Sequence, residues 1–260
     1  MKTYYYAHTG HRIGLDRFRR AVAILNAIDE DITLLTSDYR IAQIARDFGI
    51  EKSVGLDVVR NIPQIAHNGD RLIFDSDEAN PIMLEDMKQF FSTFIHVKND
   101  TFAVEEKYRN ATEEKTIAMS YFFGDDDYEK DLEKNFDFIE GLELYLQLGF
   151  YYFLDYEAML QKKFPNHFEF EEYEEMILKT DILITCSPQA VLDSLASGGR
   201  PIYVQREDYT QDYNKKFTEL NIPIIYNFDK NHLSVILEGL NSVKYVKMTQ
   251  ETDKIIDLLK

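Results

Sequence analysis

A single cysteine, Cys186, in a chain of 260 residues excludes an intramolecular disulfide and any metal site built on several cysteines. Long apolar runs are missing too: none approaches the roughly 18 residues that a membrane span requires. The opening Met1-Lys2-Thr3-Tyr4 passes straight into a tyrosine-rich stretch without a signal-peptide pattern, and the lone cysteine makes a reducing cytoplasm the expected location. Positive charge is scarce, with 29 Lys and Arg against 46 Asp and Glu and a net charge of −17 at pH 7. That balance argues against nucleic acid or an anionic membrane as partner. A small anion remains compatible, because converging backbone N–H groups act locally. His67, His96, His167 and His232 are scattered without metal-ligand spacing.

What is present is 45% apolar sequence, enough for one large α/β domain or two small ones. Short apolar runs alternate with helical periodicity along the whole chain. Tyr4–Ala7, Ile32–Leu35, Val54–Leu56, Arg71–Asp75 and Thr93–Val97 are expected strands, with helices near 14–28, 39–48 and 83–91. Polar Asn99–Glu114 is expected to link two domains, 1–105 and 106–260. In the second half, strands are expected at Thr116–Phe123, Phe150–Leu154, Ile182–Ile184, Pro201–Val204 and Pro223–Tyr226. A long helix is expected over Tyr128–Leu148, others at 157–163 and 172–179, and a mostly helical tail over 233–259. The fold class is therefore α/β, as two Rossmann-like domains facing a cleft, with a single larger doubly wound sheet as the alternative.

The stretch Thr180–Tyr213 is the clearest strand–turn–helix–strand unit. Ser187-Pro188 opens its helix, Gly198-Gly199 closes it, and ligands in such sheets meet strand carboxyl ends and helix N-termini. Ser187 and Gln189 are candidate ligand contacts on that ground. Gly10 and His11 lie in the turn after the first strand, where glycine admits close backbone approach and histidine can move protons near neutrality. His11 is nearer the helix start than His8, and an exposed histidine loop is the competing reading. Gly124-Asp125-Asp126-Asp127 offers oxygen ligands for Mg²⁺ or Mn²⁺, against which stands ordinary helix capping. Arg206 and Gln211, after the strand ending at Val204, suit sugar hydroxyls or phosphate. Asp75-Ser76-Asp77-Glu78 sets carboxylates past another strand end, where capping is the commoner explanation.

Asp181-Ile182-Leu183-Ile184, Ser187, and the helix ending Ala196-Ser197-Gly198-Gly199-Arg200-Pro201-Ile202 together resemble the nucleotide-sugar-binding half of GT-B-fold glycosyltransferases. Within that group the chain is similar to the N-acetylglucosaminyl transferases that form lipid II and to the nucleotide-sugar hydrolases of pseudaminic acid synthesis. Thr9-Gly10-His11 resembles the transferases' first loop, and Ile13 to Arg20 a segment of the hydrolases. The resemblance implies a nucleotide-diphosphate sugar as ligand, transferred to an unspecified acceptor with no metal and no cofactor. It gives His11 the role of base and the amides at 187–190 the departing diphosphate. Gln211 and Asp193 would hold sugar or ribose, and Gly124 would belong to the second domain's glycine loop. Three positions depart from the pattern. Ser194 stands where a ribose-binding Glu is usual, Arg17 where the hydrolases carry histidine, and three acids follow Gly124. Hydrolysis of the donor, or ligand binding without catalysis, are the alternative functions.

Overall fold

In the computed structural model, which describes residues 1–56, 58–249 and 251–259, the chain divides into two compact units. The first comprises Met1–Glu105 with Gln250–Lys260, the second Glu106–Thr249. The first is built on β1 (Thr3–Ala7), β2 (Ile32–Thr36), β3 (Ser53–Gly55), β4 (Arg71–Asp75) and β5 (Thr93–His96). All pair in parallel in the order β3-β2-β1-β4-β5. Central β1 is buried along its whole length, so its TYYYA sequence needs no polar alternation. Its three tyrosine hydroxyls find acceptors instead: the Ile65 carbonyl for Tyr4, Asp75 for Tyr5 and Glu78 for Tyr6.

The second unit holds β6 (Ile117–Phe122), β7 (Tyr145–Gln147), β8 (His167–Phe168), β9 (Thr180–Thr185), β10 (Arg200–Gln205) and β11 (Ile224–Tyr226). Their order is β11-β10-β9-β6-β7-β8, again parallel. Both sheets have the doubly wound Rossmann order, in which the winding reverses beside the first strand. That reversal leaves a crevice at the strand carboxyl ends. The two switch points are β1/β4 and β6/β9.

Several elements differ from sequence expectation. Tyr128–Leu148 is no long helix. It contains single turns at Asp131–Lys134 and Phe136–Ile139, then β7. Lys130 and Gly141 take left-handed backbone at φ 55° and 87°, which interrupts any continuous helix. Phe150–Leu154 is a loop running into the helix Leu154–Lys163. The segment from Asn99 contains buried Phe102, Ala103 and Val104 and a helical turn, Glu106–Arg109. The tail divides into helices Lys230–Gly239 and Thr252–Leu259, with residues 243–249 in neither helix nor strand. Around the organising stretch expectation and structure agree. Ser187 Oγ accepts from the Ala190 amide as N-cap, Pro188 takes the first turn, and Gly198 at φ 81° follows the helix Pro188–Ala196.

Candidate functional site

At the first switch point Ala7 and Asp75 are register partners at the ends of β1 and β4. His8 follows at once, its amide donating to the Asp75 carbonyl at 3.0 Å. The Asp75 carboxylate, wholly buried, accepts from Arg20 Nε and the Tyr5 hydroxyl at 2.9 Å each, and from Arg20 Nη2 at 2.5 Å. A buried carboxylate is tolerable only with such partners. Above this pair Arg17 donates to Asp77 Oδ1 and Asn99 Oδ1, both at 3.1 Å, and its Nη1 lies 3.3 Å from His8 Nδ1. His8 Nδ1 is 3.6 Å from carboxylate oxygens of both Asp77 and Glu78. Glu78 in turn accepts from the Tyr6 and Ser76 hydroxyls, so the strand tyrosines fix the carboxylates around the imidazole.

His8 is half-buried with one guanidinium and two carboxylates beside the same ring nitrogen. Arginine can only donate, so the neutral ring accepts there and carries its proton on Nε2. The protonated ring instead offers an N–H toward two carboxylates. Either form has partners, as proton transfer demands. His11 stands exposed on the Gly10–Gly14 turn, whose strain is taken by Gly10 at φ 147° and Arg12 at φ 69°. The structure thus brings His8 to the charged cluster. The signal was present in sequence: His8 is the first residue past β1, and the acids at 75–78 were already marked as lying past a strand end.

At the second switch point β6 runs out into Gly124, at φ 125°, and β9 into Cys186 and Ser187. Arg206 is 4% exposed, its guanidinium sandwiched 4.5 Å from the Phe123 ring and 4.3 Å from Tyr209. It donates to Asp208 at 2.9 and 2.7 Å, and to the Asp126 carbonyl and carboxylate at 3.0 and 3.4 Å. Gly124 lies against it, for an added Cβ would sit 3.6 Å from Nη1. Asp126 also accepts from the Tyr209 hydroxyl at 2.7 Å. Asp127 caps the Asp131–Lys134 turn through the amides of 131 and 132 and accepts from the Tyr156 hydroxyl. These two acids are engaged as acceptors within the fold. Among the described residues no group of three or more His, Cys, Asp or Glu could hold a metal ion.

The remaining candidates lie inward. Gln189 Nε2 and the Tyr173 hydroxyl each donate to Asp193 at 2.9 Å, and Asp193 is 2% exposed. Ser194 is buried beneath Gly199, where a Cβ would fall 2.5 Å from the serine hydroxyl. Gln211 is exposed, directly before the helix Asp212–Glu219. Of the helix amides at 187–190, Ala190 is taken by Ser187 and Pro188 brings none. Cys186 is fully buried and its thiol is pushed up to about 12 by burial, the state of an inert core thiol.

The acids of the two units carry opposite shifts. Asp77 is held below the ordinary carboxylate range by His8 beside it, against burial and with help from Arg17. Asp70 is also lowered: burial opposes ionisation, and the amides of Lys2 and His67 outweigh it. Asp126 and Asp127 are raised, chiefly by burial, despite Arg206 and their hydrogen bonds. A lowered carboxyl contributes stability above its unfolded pKa of about 3.9, and the contribution is lost as pH falls. A raised one contributes below that value and loses its contribution as pH rises. Hydrogen exchange corrected for intrinsic rates is expected to show the first unit gaining stability as pH rises toward about 3.9, and the second losing it as pH rises above that value. Asp77→Asn should weaken the first unit's gain with pH, and Asp126→Asn should lessen the second unit's loss. Unchanged slopes in both variants would show that these shifts are absent.

No family model matches the sequence, and no curated protein matches it. Solved structures do resemble it. UDP-GlcNAc 2-epimerase from Methanocaldococcus jannaschii, in complex with UDP-GlcNAc and UDP, superposes with a TM-score of 0.60 at 11% identity, covering 100% of this chain and 99% of that chain. The E. coli heptosyltransferase WaaC with ADP gives 0.53 at 10% identity, covering 94% and 99%. At such identities the likeness is one of fold: two Rossmann-like α/β units of GT-B type.

Proposed function

We propose that this chain acts on a nucleotide-diphosphate sugar, with His8 as its proton-transfer residue. The observation that carries this reading is the meeting of His8, Arg17, Asp77 and Glu78 at the β1/β4 switch point. It gains support from a fold shared with proteins whose structures hold UDP-GlcNAc, UDP or ADP. In the proposed reaction an acceptor hydroxyl attacks the anomeric carbon. His8 takes the hydroxyl proton, the bond from that carbon to the diphosphate oxygen breaks, and the nucleoside diphosphate leaves with both electrons. The role falls to His8 because it follows β1 directly at the switch point, with Arg17, Asp77 and Glu78 around its ring, whereas His11 is exposed on the turn beyond. The nucleotide is assigned to the second unit's switch point, β6/β9, where strand carboxyl ends meet the start of the helix Pro188–Ala196.

Water in place of the acceptor is the same chemistry, and mass spectrometry of products with and without acceptor separates transfer from hydrolysis. A binding-only relative is the second reading, favoured by Arg206 and Asp193 being satisfied within the fold. Thermal shift with UDP, GDP, ADP and CMP and their sugars tests the nucleotide itself. A ligand at about 100 times its Kd stabilises by about 2.7 kcal/mol. At least one of the panel should raise the melting temperature by several degrees. A silent panel defeats the reading.

A further inference from the structure

Gly149-Phe150-Tyr151-Tyr152-Phe153 places four consecutive aromatic residues in a loop at the carboxyl end of β7. Tyr151 and Tyr152 are buried, and the Tyr151 amide donates to the Asp125 carbonyl at 2.7 Å. This ties the loop to the segment leaving β6. Gly149 permits the approach, since a Cβ there would lie 2.5 Å from the Gly124 carbonyl oxygen. The tie brings Phe153 against Tyr128, with ring centroids 6.0 Å apart at 63°, and each residue remains 47% exposed. Leu154, next in sequence, is 84% exposed. Folding has thus left an aromatic pair at the ligand-binding edge of the sheet, where core packing does not account for it.

We propose that Tyr128 and Phe153 form a stacking platform for a neutral carbohydrate ring, one strand over from the β6/β9 switch point. As the sugar subsite of a nucleotide-sugar site it rests on the reading above. The negative face of an aromatic ring attracts the polarised C–H face of a sugar, and two rings with one leucine match the size of a monosaccharide. A protein partner would need about 800 Å² of surface, far more than this patch supplies. Glu129, Asp131, Asp155 and Glu157 flank the two aromatics in sequence, a charge that disfavours an anionic lipid surface there.

The test is saturation-transfer NMR on the full chain, with methyl glycosides of glucose, galactose, mannose and N-acetylglucosamine as probes. Transfer to the ring C–H protons of at least one glycoside is expected. It should fall about tenfold in the Tyr128→Ala/Phe153→Ala double variant, the size of a stacking contribution of about 1.4 kcal/mol, and survive in Tyr128→Phe. An unchanged melting temperature in the double variant shows that the loss is one of contact. Absence of transfer in the wild type overturns the proposal, and so does equal transfer in the double variant. A dimer that dissociates in that variant overturns it too. The two readings fail separately. Sugar binding that depends on the platform, with a silent nucleotide panel, keeps this site and removes the nucleotide. Nucleotide binding with glycosides indifferent to the platform does the reverse.

Discussion

Under the proposed reaction, His8→Gln is expected to lower turnover by about 100- to 10,000-fold, the usual contribution of a positioned acid or base. Nucleotide affinity and melting temperature stay close to wild type. Glutamine keeps the polar contact near Arg17 and the side-chain volume but cannot exchange a proton. The loss should therefore fall on kcat rather than KM. Asp77→Asn retains the shape and removes one of the two charges 3.6 Å from the imidazole, so a smaller fall is expected. His11→Ala is the control and should leave turnover nearly unchanged, because that residue is exposed on the turn beyond the switch point. Initial rates of each variant beside the wild type check all three. Wild-type turnover in His8→Gln would end the assignment.

Arg206→Met unfolds the second unit more easily, by about 3–5 kcal/mol, the cost of leaving a buried charge without its partner. Arg206 donates to both Asp208 and Asp126, and two aromatic rings enclose it. Methionine fills much of the volume but satisfies none of these acceptors, and Asp126 is only 1% exposed. Asp126→Asn in the same chain should restore part of the loss, because a neutral amide is cheaper to bury than a carboxylate. With no tryptophan present, urea unfolding followed by circular dichroism and by hydrogen exchange in the two units is the measurement. A loss below about 1 kcal/mol would mean that Arg206 is a surface-like pair with little hold on the Gly124 loop.

Much of this architecture is local enough to be written in the chain. Ile182-Leu183-Ile184 is apolar on both faces because a central parallel strand is covered on both. Pro188 and Ser187 start a helix, and Gly198 stops one, through backbone preferences that need no distant partner. The alternation of such units carries the Rossmann reading of each half, and the positions past strand ends marked where chemistry belongs. What sequence could not settle depends on partners far along the chain. β7 is three residues long and exists through pairing with β6 and β8, so no periodicity announces it. Of the acids after Gly124, Asp127 does cap a helical turn as the sequence allowed, but Arg206, eighty residues beyond Asp126, and Tyr156 are partners that only folding supplied. The Tyr173 hydroxyl that donates to Asp193 comes from another helix, a partner that local sequence does not announce. His8 and His11 are three residues apart in one turn. Only the parallel pairing of β1 with β4, which sets the acids of 75–78 beside the end of β1, distinguished them. Local backbone preference fixes the elements, whereas the electrostatic environment of a side chain is made by groups that only tertiary folding brings within a few ångströms.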